Sequence, residues 1–132
     1  MNTVHPSPFL RAALWLDASA SGAVALAQLG AAVPLAGWTG LAQALLVETG
    51  VLMLGWVALL AWLARHPRPP RALLQAVIGG NLAWALAAAA LAVLLRPPLP
   101  GLALLALHTL PVAGFALLQA MGLSRSAPAP AH

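Results

Sequence analysis

The chain contains no cysteine, no lysine and no tyrosine, and only two carboxylates, Asp17 and Glu48, occur in its 132 residues. Without cysteine there is no disulfide, no thiolate metal site and no thiol nucleophile. Charged residues make up 6% of the sequence, against about 25% in ordinary soluble domains. So few charges could not give a soluble fold a polar surface, and the composition therefore excludes a water-soluble globular domain.

The familiar catalytic motifs are also absent. The sequence has no glycine-rich phosphate loop, no H-E-x-x-H and no G-x-S-x-G. The net charge of +4 comes from six arginines, which stand as single residues or in one short loop cluster between apolar runs. Such arginines are typical of membrane-topology signals, so we expect no nucleic-acid partner. These absences make a non-enzymatic protein the favoured class.

What the sequence does have is apolar length, since 62% of its residues are hydrophobic. Four apolar stretches predict transmembrane helices at about residues 9–33, 40–64, 71–95 and 100–123, each long enough to cross about 30 Å of hydrocarbon. Pro34 and Gly37 to Gly40 indicate a short, uncharged first loop, and proline-rich turns separate the later helices. The predicted fold is an all-α integral membrane protein, an antiparallel up-down bundle of four helices over residues 1–123. Residues 124–132 are predicted to form a disordered cytoplasmic tail.

The arginines predict the orientation. With the N-terminus inside, only Arg96 lies outside, and both termini are cytoplasmic. The alanine- and leucine-rich composition without lysine is typical of a GC-rich bacterial genome, which favours a bacterial inner membrane. Arg11, the apolar run after it and Ala23 to Ala25 could alternatively be a cleaved secretory signal, but Asp17 inside the run argues against cleavage.

Near the outer side of the predicted bundle, three polar residues lie at similar depth. Glu48 lies about 10–12 Å from the outer edge, His108 lies level with it, and Gln28 is within a turn or two of that plane. An imidazole titrates near neutrality, and a carboxylate in hydrocarbon is rarely kept without a use. We therefore predict that Glu48 and His108 approach within side-chain reach and, with Gln28, form a candidate ligand- or proton-binding site. The alternative is a protonated Glu48 that donates one structural hydrogen bond.

A second group is predicted near the inner side. Asp17 lies about 9 Å from the cytoplasmic edge, and Ser21 shares its helical face within about 40°. Asn81 and Gln75 from the third helix and Gln119 from the fourth reach the same depth, where Asp17 can meet them. The prediction is an inner polar cluster of Asp17, Ser21, Asn81 and Gln119.

Structural hydrogen bonding between helices, or contact of Asp17 with Arg11, is the alternative for this inner cluster. Because the two carboxylates lie at opposite depths, paired acid–base catalysis of the glycosidase type is not expected.

Only one histidine is placed to act inside the bundle. His5, His66 and His132 lie in predicted cytoplasmic loops or tails, which leaves His108 without a second buried axial ligand for a haem b. No cofactor and no metal are therefore expected, and haem b stays an alternative only through His66 or through a dimer that contributes His108 twice. Trp56 and Trp84 lie deep in their helices, where they can pack the core or line a pocket.

The opening of the first helix reads Leu-Asp-Ala-x-x-Ser-Gly over Leu16 to Gly22. With the four-helix pattern and the composition, it resembles the small four-helix inner-membrane proteins of bacteria to which no activity is assigned. That resemblance implies no catalytic residue. Three functional hypotheses follow. The first is a non-enzymatic protein, either a subunit or helper of a membrane complex or a homo-oligomer. The others are a proton- or solute-handling transporter component that uses Glu48 and His108, and a redox-cofactor protein. Lipid and a protein partner or second copy are the expected partners.

Overall fold

The computed structural model describes residues 2–130, which form five helices and one pair of two-residue strands. In chain order these elements are β1 (Val4–His5), α1 (Pro8–Gly30), α2 (Ala32–Thr39), α3 (Gln43–Arg65), α4 (Arg71–Leu95), α5 (Leu99–Ser124) and β2 (Ala127–Pro128). The four long helices α1, α3, α4 and α5 are each long and apolar enough to cross a membrane. The prediction of four such apolar helices is confirmed.

The start of α1 follows the usual capping chemistry. The Ser7 side chain accepts a hydrogen bond from the Leu10 backbone N–H at 3.1 Å, and Pro8 occupies the first turn. A proline there loses no helical hydrogen bond, because the first N–H groups of a helix have no partner within it. Local sequence therefore sets where the first long helix begins.

The predicted first loop is wrong. The helix predicted over 9–33 ends at Gly30, and the chain turns at Ala31 into the short helix α2, which runs through both Pro34 and Gly37. Pro34 is the third residue of α2, a position where the missing N–H is not needed, so this proline starts a new helix rather than a loop. Gly40, with φ of 70°, ends α2 in the left-handed conformation that glycine adopts without strain.

The predicted disordered tail is also wrong over the residues that the structure describes. The Ser126 hydroxyl accepts a hydrogen bond from the Ser7 N–H at 3.0 Å and donates one to the Gly122 carbonyl at 2.8 Å. Further along, β2 pairs antiparallel with β1, so that Val4 lies opposite Pro128. Proline-rich composition indicates disorder only when the segment finds no partner, and here the N-terminal strand provides one. Residues 131–132 of the predicted tail lie outside the described range.

The long helices are antiparallel to their neighbours, and their order across the bundle is α3, α1, α5, α4. Helix α1 packs along α3 and α5, and α5 packs along α4. In the predicted up-down bundle successive helices are expected to pack side by side, but α3 and α4 are not among the closely packed pairs. They meet through side chains such as Trp56, whose Cη2 would lie only 2.6 Å from a Cβ added to Gly80. Three of the contacts between neighbouring long helices are therefore tightly packed. The fourth, between α3 and α4, is loose, and it is here called the loose seam.

Both ends of the bundle are covered. At the end that carries the two strands, here called the terminal end, the Val4 N–H donates to the Pro69 carbonyl at 3.2 Å and the Arg71 N–H to the Asn2 carbonyl at 2.9 Å. Val4 is completely buried there. At the opposite end, here called the α2 end, α2 lies against α3 and α5 over buried Leu41 and Leu105. The remaining opening is lateral, between α3 and α4.

Candidate functional site

The first polar group of the interior surrounds Asp17, whose side chain is completely buried. Asp17 Oδ1 accepts a hydrogen bond from the Ser21 hydroxyl at 2.8 Å. Asp17 Oδ2 accepts from Asn81 Nδ2 at 2.7 Å and from Gln119 Nε2 at 2.8 Å. These four residues, here called the Asp17 cluster, join α1, α4 and α5 at one level. The structure thus brings together the four residues that the sequence placed at the inner depth.

No cationic side chain from residues 2–130 takes part in the Asp17 cluster. The Arg11 guanidinium instead donates to the Ala64 carbonyl and, at 3.4 Å, to the His66 carbonyl at the end of α3. Those carbonyls are the unpaired acceptors of a helix C-terminus, where a positive charge is favourable. Gln75, the other candidate neighbour from the third long helix, is exposed. Neutral donors alone therefore satisfy the buried carboxyl group.

The hydrogen bonds of the Asp17 cluster fix the orientation of the Asn81 amide. Its nitrogen donates both to Asp17 Oδ2 and, at 3.0 Å, to Gln119 Oε1. Asn81 Oδ1 consequently points away from the carboxyl group, and it accepts no hydrogen bond from residues 2–130. Within that range no fully buried side-chain nitrogen or oxygen lacks a partner. Asn81 Oδ1 therefore reaches the adjoining cavity as a free acceptor.

The second polar group surrounds His108, nearer the α2 end. Trp84 Nε1 donates to His108 Nδ1 at 3.1 Å, so His108 Nε2 carries the proton and donates to Gln28 Oε1 at 2.6 Å. Gln28 Nε2 then donates to the Leu46 carbonyl at 2.9 Å and to Thr49 Oγ1 at 2.8 Å. Trp84, His108, Gln28 and Thr49 form one directional series, here called the His108 chain, that links α4, α5, α1 and α3. It holds His108 as the neutral Nε2–H tautomer.

The predicted approach of Glu48 to His108 is wrong. Glu48 is exposed, and it has no hydrogen bond or ion pair within residues 2–130, whereas both ring nitrogens of His108 are engaged by Trp84 and Gln28. The core-facing side of α3 carries Leu46 and Gly50. Glu48 lies about 200° around the helix from each of them, so it points away from the bundle. Glu48 lies at the level of His108 along the bundle, as the neighbouring Thr49 and Gln28 show, but it does not point into the bundle.

Sequence reasoning missed Thr49 and the role of Trp84. Thr49 lies about 60° from the core-facing Leu46 on the α3 wheel, a signal that could have placed it inside. Trp84 was predicted only to pack the core or line a pocket. Its indole does line a pocket, and it also sets the tautomer of His108, which was not predicted.

A cleft opens between α3 and α4 along the loose seam, and it contains two cavities that meet at Trp84. The larger, of about 190 Å³, lies beside the Asp17 cluster and is lined by Ser21, Leu52, Met53, Trp56, Gly80, Asn81, Trp84 and Val112. The smaller, of about 110 Å³, lies towards the α2 end and includes Thr49, Leu91, Leu105 and His108. Each cavity has apolar walls and polar atoms at its inner side. This is the usual composition of a small-molecule site.

Metal and haem ligation find little support in the donor set. Among the described residues no group of three histidine, aspartate or glutamate side chains is placed to hold a metal ion. His108 would have to release Trp84 or Gln28 before either ring nitrogen could bind iron. His66 lies beside Trp62 with ring centroids 4.7 Å apart, at the terminal end and away from His108. His132 lies outside the described residues.

Comparison of the chain with protein-family models, with curated proteins and with solved structures finds no match.

Proposed function

We propose that this protein is a non-enzymatic helper protein of a bacterial inner membrane that binds an apolar molecule bearing a hydrogen-bond donor in the cleft between α3 and α4. The observation that carries the proposal is the lateral opening of that cleft, with free Asn81 Oδ1 at its inner side. A molecule dissolved in the bilayer reaches such an opening directly, without crossing water.

The size of the larger cavity suits one ring-sized group. A cavity of roughly 150 Å³ in another protein holds a benzene molecule, and the cavity beside Asn81 is about 190 Å³. Leu52, which is 63% exposed, and Trp56 stand at the α3 side of the opening. The remainder of a longer ligand, such as an alkyl tail, would extend past them into lipid.

The polar atoms select the chemistry of the head group. Asn81 Oδ1 can only accept, so the ligand must present a hydroxyl or an amide N–H to it. The Ser21 proton is already directed at Asp17, which leaves the Ser21 oxygen as a second acceptor beside the same cavity. A ligand with only carbonyl or ether oxygens would find no donor there.

The placement of arginines supports an orientation with cytoplasmic termini. Arg11, Arg65, Arg71 and Arg125 lie at the terminal end with Arg68, whereas Arg96 alone lies at the α2 end. Arginine-rich ends favour the cytoplasmic side. A periplasmically active phosphatase fused to the C-terminus should be inactive, and an active fusion would refute this orientation.

The transporter alternative draws less support from the geometry. Glu48 and His108 do not form a shared site, and both ends of the bundle are covered. Between the two polar groups, Ser21 and Gln28 are about 10 Å apart along α1, with completely buried Ala25 between them. Proton flux into proteoliposomes that is lost in Gln28→Leu would favour this alternative over ligand binding.

The binding proposal is tested with the protein in nanodiscs, using a phenol with a straight alkyl tail and its methyl ether as probes. The phenol should bind about tenfold tighter, the effect of one hydrogen bond of roughly 1.4 kcal/mol. Leu52→Trp should narrow the mouth of the cleft and weaken the binding of both probes. Val51→Trp, at the neighbouring exposed position outside the cleft, is its matched control in nanodiscs that each hold a single copy. Equal affinity for both probes, or no saturable binding, would contradict the proposal.

A further inference from the structure

Glu48 is an acidic residue with no partner in the part of the protomer that the structure describes. It lies about 8 Å inside the first residue of α3, on the exposed side of that helix, without a partner among residues 2–130. A carboxylate facing hydrocarbon is costly and normally pairs with another polar group. A partner outside the protomer would remove that cost.

The surface around Glu48 suits close approach of another helix. Residues at helical spacing along the outward side of α3 are all exposed, and three of them are small: Ala44, Glu48, Val51, Gly55, Ala58 and Trp62. A Cβ added to Gly55 would meet nothing within 4 Å. Small residues let helix backbones come close together in a membrane, and polar side chains within such a surface bind across it.

Arg96 is the complementary charge. It directly follows α4 and lies at the α2 end, as Glu48 does, because the first turns of α3 and the last turns of α4 line the same cavity through Leu45 and Leu91. Arg96 is exposed and has no hydrogen bond or ion pair with any described residue. Among those residues it is also the only non-glycine with positive φ, 43°, where glycine would be less strained. An arginine kept at such a position suggests a use for its side chain.

We propose that two copies of this chain associate in the membrane so that Glu48 of each copy pairs with Arg96 of the other. A twofold axis along the membrane normal makes the contact reciprocal, so one interface satisfies two carboxylates and two guanidinium groups at once. It places the α3 of one copy antiparallel to the α4 of its partner, and that α4 also has an outward row of small residues with Ala76, Gly79 and Ala83. The pairing uses no residue that lines the α3–α4 cavities and goes beyond the proposed ligand binding. Because the axis faces the seam between α3 and α4, the dimer covers the mouth of the cleft, and a ligand enters from lipid in the monomer.

Cysteine cross-linking tests this pairing cleanly, because the natural chain has no cysteine. Under mild oxidation in native membranes, the double variant Glu48→Cys/Arg96→Cys should form a covalent dimer, and neither single variant should. The matched control is Leu26→Cys/Leu110→Cys, which places two exposed cysteines on α1 and α5 instead. A disulfide within one chain, cross-linking by Glu48→Cys alone, or no dimer at all would overturn the proposal.

Charge exchange provides a second measurement that does not depend on oxidation. Glu48→Arg or Arg96→Glu alone should raise the dissociation constant of the dimer at least about tenfold, since each opposes like charges across the interface. The exchanged variant Glu48→Arg/Arg96→Glu should restore dimerisation. Photobleaching of labelled protein in supported bilayers gives the dimer fraction, and failure of restoration with both variants folded would count against the pairing. The single variants leave the cavity lining intact and open the cleft mouth by dissociating the dimer, so they should keep saturable phenol binding as monomers. Loss of dimerisation with phenol binding retained separates this result from the ligand-binding test.

Discussion

The two carboxylates of this chain have opposite environments. Asp17 is completely buried and accepts three hydrogen bonds from three side chains, whereas Glu48 lies on the outer surface of α3 without a described partner. Both stand in apolar helices and look alike in the sequence. The difference teaches that a carboxylate in a membrane helix can stabilise the protein's own bundle or remain available to something outside it, and only its direction distinguishes these roles.

The largest expected effect tests whether Asp17 stabilises the bundle. If it does not, the contrast between the two carboxylates is lost. Asp17→Leu removes the acceptor of three hydrogen bonds and leaves the Asn81 and Gln119 amides without it. We expect a loss of about 2–3 kcal/mol in the free energy of unfolding, since the two interhelical hydrogen bonds are worth roughly 0.6–1.7 kcal/mol each in a membrane and the Ser21 bond within α1 adds to them. Thermal or denaturant unfolding in detergent, followed by circular dichroism, measures it. A loss below about 0.5 kcal/mol would mean that the donors find other partners.

A substitution in the His108 chain is expected to lower the free energy of unfolding by a smaller amount. Gln28→Leu removes the acceptor of His108 Nε2–H and the donor to Thr49, so we expect about 2 kcal/mol of destabilisation in the same assay. Gln75→Leu on exposed α4 surface is the control and should change stability by less than about 0.5 kcal/mol. Equal effects of the two substitutions would show that the buried amide contributes nothing specific.

Trp84→Phe tests whether the indole N–H of Trp84 sets the tautomer of His108. Phenylalanine keeps an aromatic ring beside the cleft but cannot donate to His108 Nδ1, and one lost hydrogen bond predicts about 1 kcal/mol of destabilisation. Nitrogen NMR of labelled histidine should show a single Nε2–H tautomer in the natural chain and a mixture in the variant. An unchanged single tautomer would contradict control by Trp84.

Glu48→Gln should have the smallest effect on the protomer, because the side chain has no partner among residues 2–130. Under conditions that keep the protein monomeric, we expect the free energy of unfolding to change by less than about 0.5 kcal/mol. Its effect should appear in self-association instead. If Glu48→Gln destabilised the monomer as much as Asp17→Leu, the contrast between the two carboxylates would be lost.

Much of the interior was predictable because helix geometry is regular. Ser21 and Gln28 follow Asp17 on one face of α1, and counting residues from helix ends put Asn81 and Gln119 at the depth of Asp17 and His108 near Gln28. The same counting misled at Glu48, because α3 is apolar all round and its sequence does not reveal which side faces the core. The prediction that Gln75 meets Asp17 failed for a related reason. Its depth is compatible with that of Asp17, but depth does not specify which way a side chain points around its helix.

The sequence by itself determined four long apolar helices, the proline-rich turns between the last three of them, and the level of the buried polar side chains along each helix. Rise per residue and the absence of charge depend on local chemistry alone. Tertiary structure decided the rest: the fold of α2 around Pro34, the ordered strand pair at the termini, the loose seam between α3 and α4, and the separation of Glu48 from His108. These features depend on how each helix is rotated about its own axis and which neighbours it meets. In nearly uniform Ala–Leu helices, the packing of all the helices together sets that rotation.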